Sequence, residues 1–347
     1  MSYHVFIQEG VDAAIYETGV GGEYDSTNIV ERPVVTGITS LGIDHVYTLG
    51  DTIDKIAWHK AGIQKPGVPS FTVEQKPKAM KVIEERATTE ILVESLKVVD
   101  IDPRLTCVKI KPASDFQRGN ASLAICLAQT VLKKLESRTS LDSSPPDYTP
   151  LGSSPQEEED LPHEFVEALE QVVWRGRCET KVDGNVTWYL DGAHTADSIV
   201  EAAKWFRSEV AKKNGPRVLI FNQQGHREAI ELLEGLYRAT QGSVKFDHVI
   251  FCTTSIQKEN ASKKDFVNLS YDPKSISELT MQKAFAEKWR SLDSDPATEV
   301  KVLPSVEDAF EYARALAMDD AHAQVLITGS LHLVGRALGS LDSADTM

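Results

Sequence analysis

The chain has 347 residues, enough for about two domains. Apolar residues make up 41% and charged residues 26%, an ordinary globular composition, and apolar runs such as 325–328 are far too short to span a bilayer. The net charge of −15 argues against non-specific nucleic-acid binding, which needs a basic footprint, although backbone amides and metal ions can still hold phosphate on an acidic surface.

The first residues read as the end of a helix at 3–8, followed at once by a continuous apolar run at 11–16. That run has the pattern of a parallel strand covered on both faces. A chain that opens in mid-fold suggests a fragment or a misplaced start. No signal or targeting segment precedes the run. A glycine-rich turn follows at Gly19, Gly21 and Gly22, then a second strand at 33–39. A helix is expected at about 52–60, with Thr52 or Asp51 as N-cap and Gly62 as the stop. Short strands flank a further helix at 78–87, and a longer helix spans about 117–135. Residues 137–163 are rich in Ser, Pro and acids without an apolar period, the signature of a disordered insertion. A helix at 164–173 closes the first part.

From Cys178 onward the pattern restarts. Apolar runs at 187–190, 218–221, 248–252, 300–303 and 325–328 alternate with helices, for example at 198–206 and 306–317. This is the pattern of a separate, doubly wound α/β domain. The expected division is 1–176 and 177–347. Cys107, Cys126, Cys178 and Cys252 are dispersed, with no CxxC pair, and read as small apolar residues of a reducing compartment.

In an open parallel sheet, ligands bind beyond the carboxyl ends of the strands. Three segments place polar residues there: Glu17 after the first strand, His45 beyond the second, and Asp191 with His194 after 187–190. A strand-end carboxylate can simply cap a turn, and a histidine can be structural. Two such residues at adjacent strand ends also suit a hard cation, since Mg2+ takes one or two carboxylates plus waters and substrate phosphates. Lys60 shares a helical face with Ile53, Ile56 and Ala57. It either snorkels to solvent or, desolvated, becomes nucleophilic toward CO2. Arg175 and Arg177 in WRGRCE suit bidentate phosphate recognition, or are ordinary surface arginines. No GxxxxGK[ST] loop occurs in the sequence.

The segment DAAIYETGVGGEYDSTNIVERPVVTGITSLGIDHVYTLGDTIDKIAWHKAGIQKPGVP resembles the central region of folylpolyglutamate synthases. FQRGNASLA, WRGRCE, WYLDGAHTADS, FNQQGHRE and LITGSLHLVG resemble further blocks of that family, in the family's order. Mur ligases and dihydrofolate synthases are the broader relatives, and the wording is eukaryotic, perhaps fungal, in style. The resemblance implies the remainder of a Mur-ligase-type ATPase domain followed by a Rossmann-like domain. It implies Mg2+ at Glu17 and His45, a carbamylated Lys60 and a nucleotide-base contact at Asn120. It also implies ATP contacts at Arg177 and Asp191, His194 near the phosphates or incoming glutamate, and glutamate binding at Ser330. ATP and Mg2+ are then the cofactors, and folate or tetrahydrofolate and L-glutamate the substrates. A monomer in the cytoplasm or mitochondrion is expected, without nucleic acid or an integral membrane segment.

Two departures stand out. His59 replaces an acid beside Lys60, and FNQQGHRE departs from the family's wording. The implied reaction makes an acyl phosphate on the folate carboxylate, which the glutamate amine then attacks, with closure of two domains as the gate. Glu17, His45 and Lys60 are expected to converge on one cation facing Arg177 and Asp191. With no phosphate loop in the sequence, the chain alone is expected not to turn over. A non-catalytic remnant and a dihydrofolate synthase are the competing expectations.

Overall fold

The computed structural model describes residues 1–142, 160–223, 227–254, 278–317 and 322–344. They form two units, Met1–Val172 and Val173–Met347, so the division falls a few residues before the expected one.

The first unit opens with helix α1 (Ser2–Glu9), stopped by Gly10 in the left-handed conformation. The run at 11–16, expected to be a buried strand, forms no strand: Ile15 is 94% exposed and no ladder partner lies beside it among the described residues. A strand exists only through its neighbours, so apolar patterning alone could not create one. Tyr16 instead stacks on Tyr3 at 4.1 Å and meets Phe6 edge-on at 5.6 Å.

Strands β1 (Thr36–Ile38), β2 (Pro69–Val73) and β3 (Ser95–Val99) form a parallel sheet in that order. Between them lie the short α2 (Val46–Leu49), α3 (Ile53–Ala61) and α4 (Pro77–Glu85). Helix α3 starts after extended Thr52, carries Asp54 in its first turn and His59 and Lys60 in its last, matching its dipole, and stops at Gly62. Ala57 and Ala61 pack with Ile38, Leu41, Ala79 and Ile83, with Ile53 against them. On the sheet's other side lies α5 (Asp115–Asp142), where a side chain at Gly37 would meet Leu127 at 2.7 Å. Helix α6 (His163–Gln171) packs with Leu105, Ile110 and Ile125. Most of the stretch expected to be disordered, 143–159, lies outside the described residues. At its edges, residues 137–142 continue α5 and Leu161 is buried.

The second unit holds a six-stranded sheet of order β4-β5-β9-β6-β7-β8. Its strands are β4 (Glu179–Asp183), β5 (Val186–Leu190), β6 (Arg217–Phe221), β7 (His248–Cys252), β8 (Glu299–Leu303) and β9 (Ala323–Thr328). All pairings are parallel except β4–β5. The edge strand β4 was not legible as a strand, because its only well-exposed apolar residue, Val182, faces solvent. Successive residues of each strand face opposite cores. Tyr189, Leu219, Phe221, Val249 and Phe251 meet α7 (Ala196–Val210), α8 (Arg227–Thr240) and α9 (Thr280–Leu292). Trp188, Leu190, Ile220 and Ile327 meet α10 (Val306–Leu316) and α11 (Leu331–Ala344). The crossovers after β5 and β6 run on one face and that after β9 on the other, so their carboxyl ends form a topological switch point.

Candidate functional site

In the first unit the glycine turn docks on the end of α3. The Glu23 N–H donates to the His59 carbonyl at 2.8 Å, and Asn28 Nδ2 donates to the Gly62 carbonyl at 3.0 Å. A side chain at Gly62 would lie 2.5 Å from the Glu23 Cα, so only glycine allows this approach. The clamp is Arg86, buried and donating to Glu23 at 2.9 Å, Glu90 at 3.0 Å and the Trp58 carbonyl at 2.6 Å, with its guanidinium 4.3 Å from the Trp58 ring centroid. Sequence reading missed Arg86, because its partner Glu23 is 63 residues away and nothing local marks it as buried.

Glu17 is exposed and makes no hydrogen bond or ion pair among the described residues. His45 sits in the left-handed conformation at the start of α2, with Nε2 3.6 Å from an Asp44 carboxylate oxygen. Lys60 is half-buried in the last turn of α3. No hydrogen bond or ion pair joins Glu17, His45 and Lys60, and no group of three or more His, Cys, Asp or Glu gathers as a metal site among the described residues. Asn120, on α5, donates to Gln117 at 3.3 Å.

In the second unit the expected residues meet at the switch point. Asp191 follows β5 and its N–H donates to the Ile327 carbonyl of β9 at 3.1 Å. Its carboxylate accepts from the Cys178 N–H at 2.8 Å, the Cys178 thiol at 3.3 Å and the Ala193 N–H at 2.9 Å. Burial pushes the Asp191 pKa above the usual carboxylate range, and pushes the Cys178 thiol up as well. His194 Nδ1 lies 3.0 Å from the Gly192 carbonyl, and Gln223 after β6 donates to the His194 carbonyl at 3.4 Å. Thr195 caps α7 through a reciprocal pair with Ser198. Ser330 is buried at the start of α11, its Oγ accepting from the His332 N–H at 3.2 Å. Gly329 before it has φ +100, and a side chain there would strike the Phe221 ring at 2.6 Å. Thr328 Oγ1 is buried without a hydrogen-bond partner among the described residues. The Arg177 guanidinium lies 5.9 Å over the Trp174 ring, in no ion pair among the described residues. Of the FNQQGHRE block, 224–226 lie outside the described residues.

A folylpolyglutamate synthase of Neurospora crassa is 52% identical over 356 residues, spanning all of this chain. The likeness to that synthase runs over the whole length of this chain. A folylpolyglutamate synthase of Saccharomyces cerevisiae is 39% identical over 353 residues and 99% of the chain. The chain spans less than two thirds of these relatives, 64% and 60% of their lengths. Residues 175–340 match the family model described as dihydrofolate synthetase, C-terminal domain. Among solved folds, the apo form of the L. casei folylpolyglutamate synthase aligns with a TM-score of 0.64 at 22% identity, covering 98% of this chain and 68% of that one. The Mycobacterium tuberculosis folylpolyglutamate synthase complexed with ADP and AMPPCP aligns with a TM-score of 0.64 at 20% identity, covering 98% and 70%. These likenesses establish the fold of the chain, an α/β pair of units. No helix among the described residues is long and apolar enough to cross a membrane.

Proposed function

We propose that the chain serves an ATP- and Mg2+-dependent ligase that joins L-glutamate to the γ-carboxylate of a folate, tetrahydrofolate above all, in one-carbon metabolism. The reading rests on one juxtaposition: within a sequence 52% identical to a folylpolyglutamate synthase, Arg177, in no ion pair among the described residues, is held beside the turn after β5, and the buried hydroxyls of Thr328 and Ser330 lie at the end of the neighbouring β9. ATP transfers its terminal phosphoryl group to the folate carboxylate. The glutamate amine then attacks the acyl carbon, phosphate leaves, the amine loses a proton and an amide forms.

Each residue has a role within that scheme. Arg177 pairs with phosphate through its planar fork. His194 stands at the amine's approach. Ser330, with Thr328, holds a glutamate carboxylate. Glu17 and His45 would hold Mg2+, with a carbamylated Lys60 adding a second carboxylate, and the ion supplies neutralisation of phosphate charge. Asn120 faces the base. Positioning is the main contribution, because an acyl phosphate is already activated. A monomer in the cytosol or mitochondrion completes the reading.

The match of 175–340 to a dihydrofolate synthetase model favours one second reading, the same chemistry on dihydropteroate. Both are tested on the native gene product carrying this sequence, with ATP, labelled glutamate and the two acceptors in competition. Label on tetrahydrofolate is expected. Label on dihydropteroate alone selects the second reading, and label on neither removes both. Glu17→Ala is expected to abolish Mg2+-dependent incorporation without changing the melting temperature.

A further inference from the structure

We propose that Cys178 is a positioning residue: its amide and thiol together hold one oxygen of the Asp191 carboxylate, so that the open acceptor position falls on the other oxygen and is left for the nucleotide. The proposal rests on the ATP-dependent reading above, with Asp191 as the nucleotide contact that the resemblance implies.

The hydrogen bonds carry it. An ionised carboxylate offers about four acceptor positions, shared equally by its oxygens. At Asp191 both positions of Oδ2 are taken by a single residue, through the Cys178 N–H at 2.8 Å and the Cys178 thiol at 3.3 Å. Oδ1 accepts from the Ala193 N–H at 2.9 Å, and its other position is open among the described residues. Asp191 is 7% exposed, and a buried acceptor left open is costly. A hydroxyl or amine donor of a ligand removes that cost, and only if the carboxylate plane is fixed so that Oδ1 meets it. The thiol is in the state this role needs. Burial first, and then the Asp191 charge, push the Cys178 pKa up, so the sulfur keeps its proton and donates at neutral pH.

The backbone supplies a second, independent reason. Cys178 has φ +46, a left-handed conformation that side chains avoid and glycine adopts freely. The same arm uses glycine for such a φ two residues earlier, at Gly176 with φ +69. A side chain at 178 therefore carries strain that glycine would relieve, and strain of this kind gathers at functional sites. What glycine could not supply is the thiol donor to Asp191. The Gly192 N–H also donates to the Gly176 carbonyl at 2.9 Å, so the arm and the turn stay joined when the thiol is removed.

The test uses the native gene product carrying this sequence. Cys178→Ala removes the thiol donor, Cys178→Ser keeps a donor, and Cys178→Gly removes donor and strain together. Asp191→Ala and the Cys178→Ala, Asp191→Ala double variant complete a cycle. KM for ATP, KM for L-glutamate, kcat and the melting temperature are measured for each. Cys178→Ala should raise the ATP KM roughly three- to tenfold, the size of about one hydrogen bond, with kcat and the glutamate KM within about twofold of native. Cys178→Ser should return the ATP KM to within about twofold of native. Cys178→Gly should raise the ATP KM as alanine does while melting no lower than the alanine variant, because the backbone is relieved. In the Asp191→Ala background Cys178→Ala should add nothing, because its effect passes through the missing carboxylate. A thiol that only fills space would lower the melting temperature and leave the ATP KM unmoved, and that result overturns the proposal. Absence of rescue by serine, or losses that add in the double variant, overturn it as well. If Asp191→Ala leaves the ATP KM unmoved, the reading of Asp191 falls and the proposal with it. If Asp191→Ala raises it and Cys178→Ala does not, the proposal falls alone. Cys178→Gly decides the matter in the same way should the alanine variant fail to fold.

Discussion

The two sheets bury their strands differently. In the six-stranded sheet every residue of β5 and β9 is buried, and helices cover both faces. In the three-stranded sheet β3 is only half-buried, and large apolar side chains stand in solvent, among them Ile7, Ile15 and Tyr47, the last 95% exposed. The sites follow their scaffolds. Asp191 is tied by a hydrogen bond to the end of β9 and His194 to Gln223 after β6, and Ser330 is buried at the start of α11, whereas Glu17 has no polar partner among the described residues. The candidate residues of the second unit are therefore held in place by the fold, and Glu17 in the first is not.

The largest expected effect tests the sheet contrast itself. Trp188 is fully buried on β5 and stacks 4.3 Å from Phe310. Trp188→Ala should cost about 3–5 kcal/mol, the sum of lost transfer energy and a cavity. Ile15→Ser, in the exposed run of the first unit, should change stability by less than about 0.5 kcal/mol. Chemical denaturation of each variant measures both. Comparable losses would mean that the run at 11–16 is packed in solution and that the contrast is overstated.

A smaller effect tests whether the first unit has a rigid centre of its own. Arg86→Leu removes three hydrogen bonds and the stack on Trp58, and leaves Glu23 without its cation. Glu23 is partly solvated, so the cost should be about 2–3 kcal/mol, below that of a fully buried broken pair. Arg86→Lys keeps the charge but not the fork, and should fall between. Amide exchange at Glu23 should rise in the same order. A variant series that melts normally, with Glu23 exchange unmoved, would show that the glycine turn is held by its own backbone.

Much of this was legible in the sequence, for physical reasons that name its limits. The ends of α3 fall at Thr52 and Gly62 as expected, although Thr52 makes no side-chain cap bond and Gly62 is right-handed, so that what demands glycine there is the close approach of Glu23. The runs at 187–190 and 325–328 announced central strands, because both their faces are covered. The polar residues beyond 187–190 pointed to a strand end, and Asp191 and His194 do lie there, while Ser330, at the end of the adjacent β9, came from the resemblance alone. The run at 11–16 misled, since strand formation needs a partner that patterning does not report. Arg86 and Cys178 were invisible as structural centres. One depends on a contact 63 residues away and the other on a left-handed backbone that no neighbouring glycine or asparagine advertises. The convergence of Glu17, His45 and Lys60 came from the resemblance alone, and among the described residues no hydrogen bond or ion pair carries it.

The smallest effect concerns a surface pair of the first unit and is separable by its pH dependence. Asp102 caps the turn before α5 by accepting from the Arg104 N–H at 2.9 Å, and its carboxylate grips the Arg104 guanidinium at 2.7 and 3.0 Å. The Arg104 hydrogen bond is the main reason its pKa lies below the usual carboxylate value. A folded-state pKa below the unfolded one means that the ionised form is preferred in the folded chain. Its contribution is therefore present above the unfolded value of about 3.9 and is lost as pH falls through the lower, folded value. Asp102→Asn should cost about 0.5–1 kcal/mol near neutral pH, the range of a partly exposed ion pair. The difference should begin to shrink as pH drops below about 4 and reach the residual effect of the cap alone only below the lower, folded pKa, where the native carboxyl is itself neutral. Urea midpoints of both proteins across that window measure it. A gap that stays constant with pH would assign the effect to the cap hydrogen bond and not to the charge. The first unit would then owe its order there to backbone geometry.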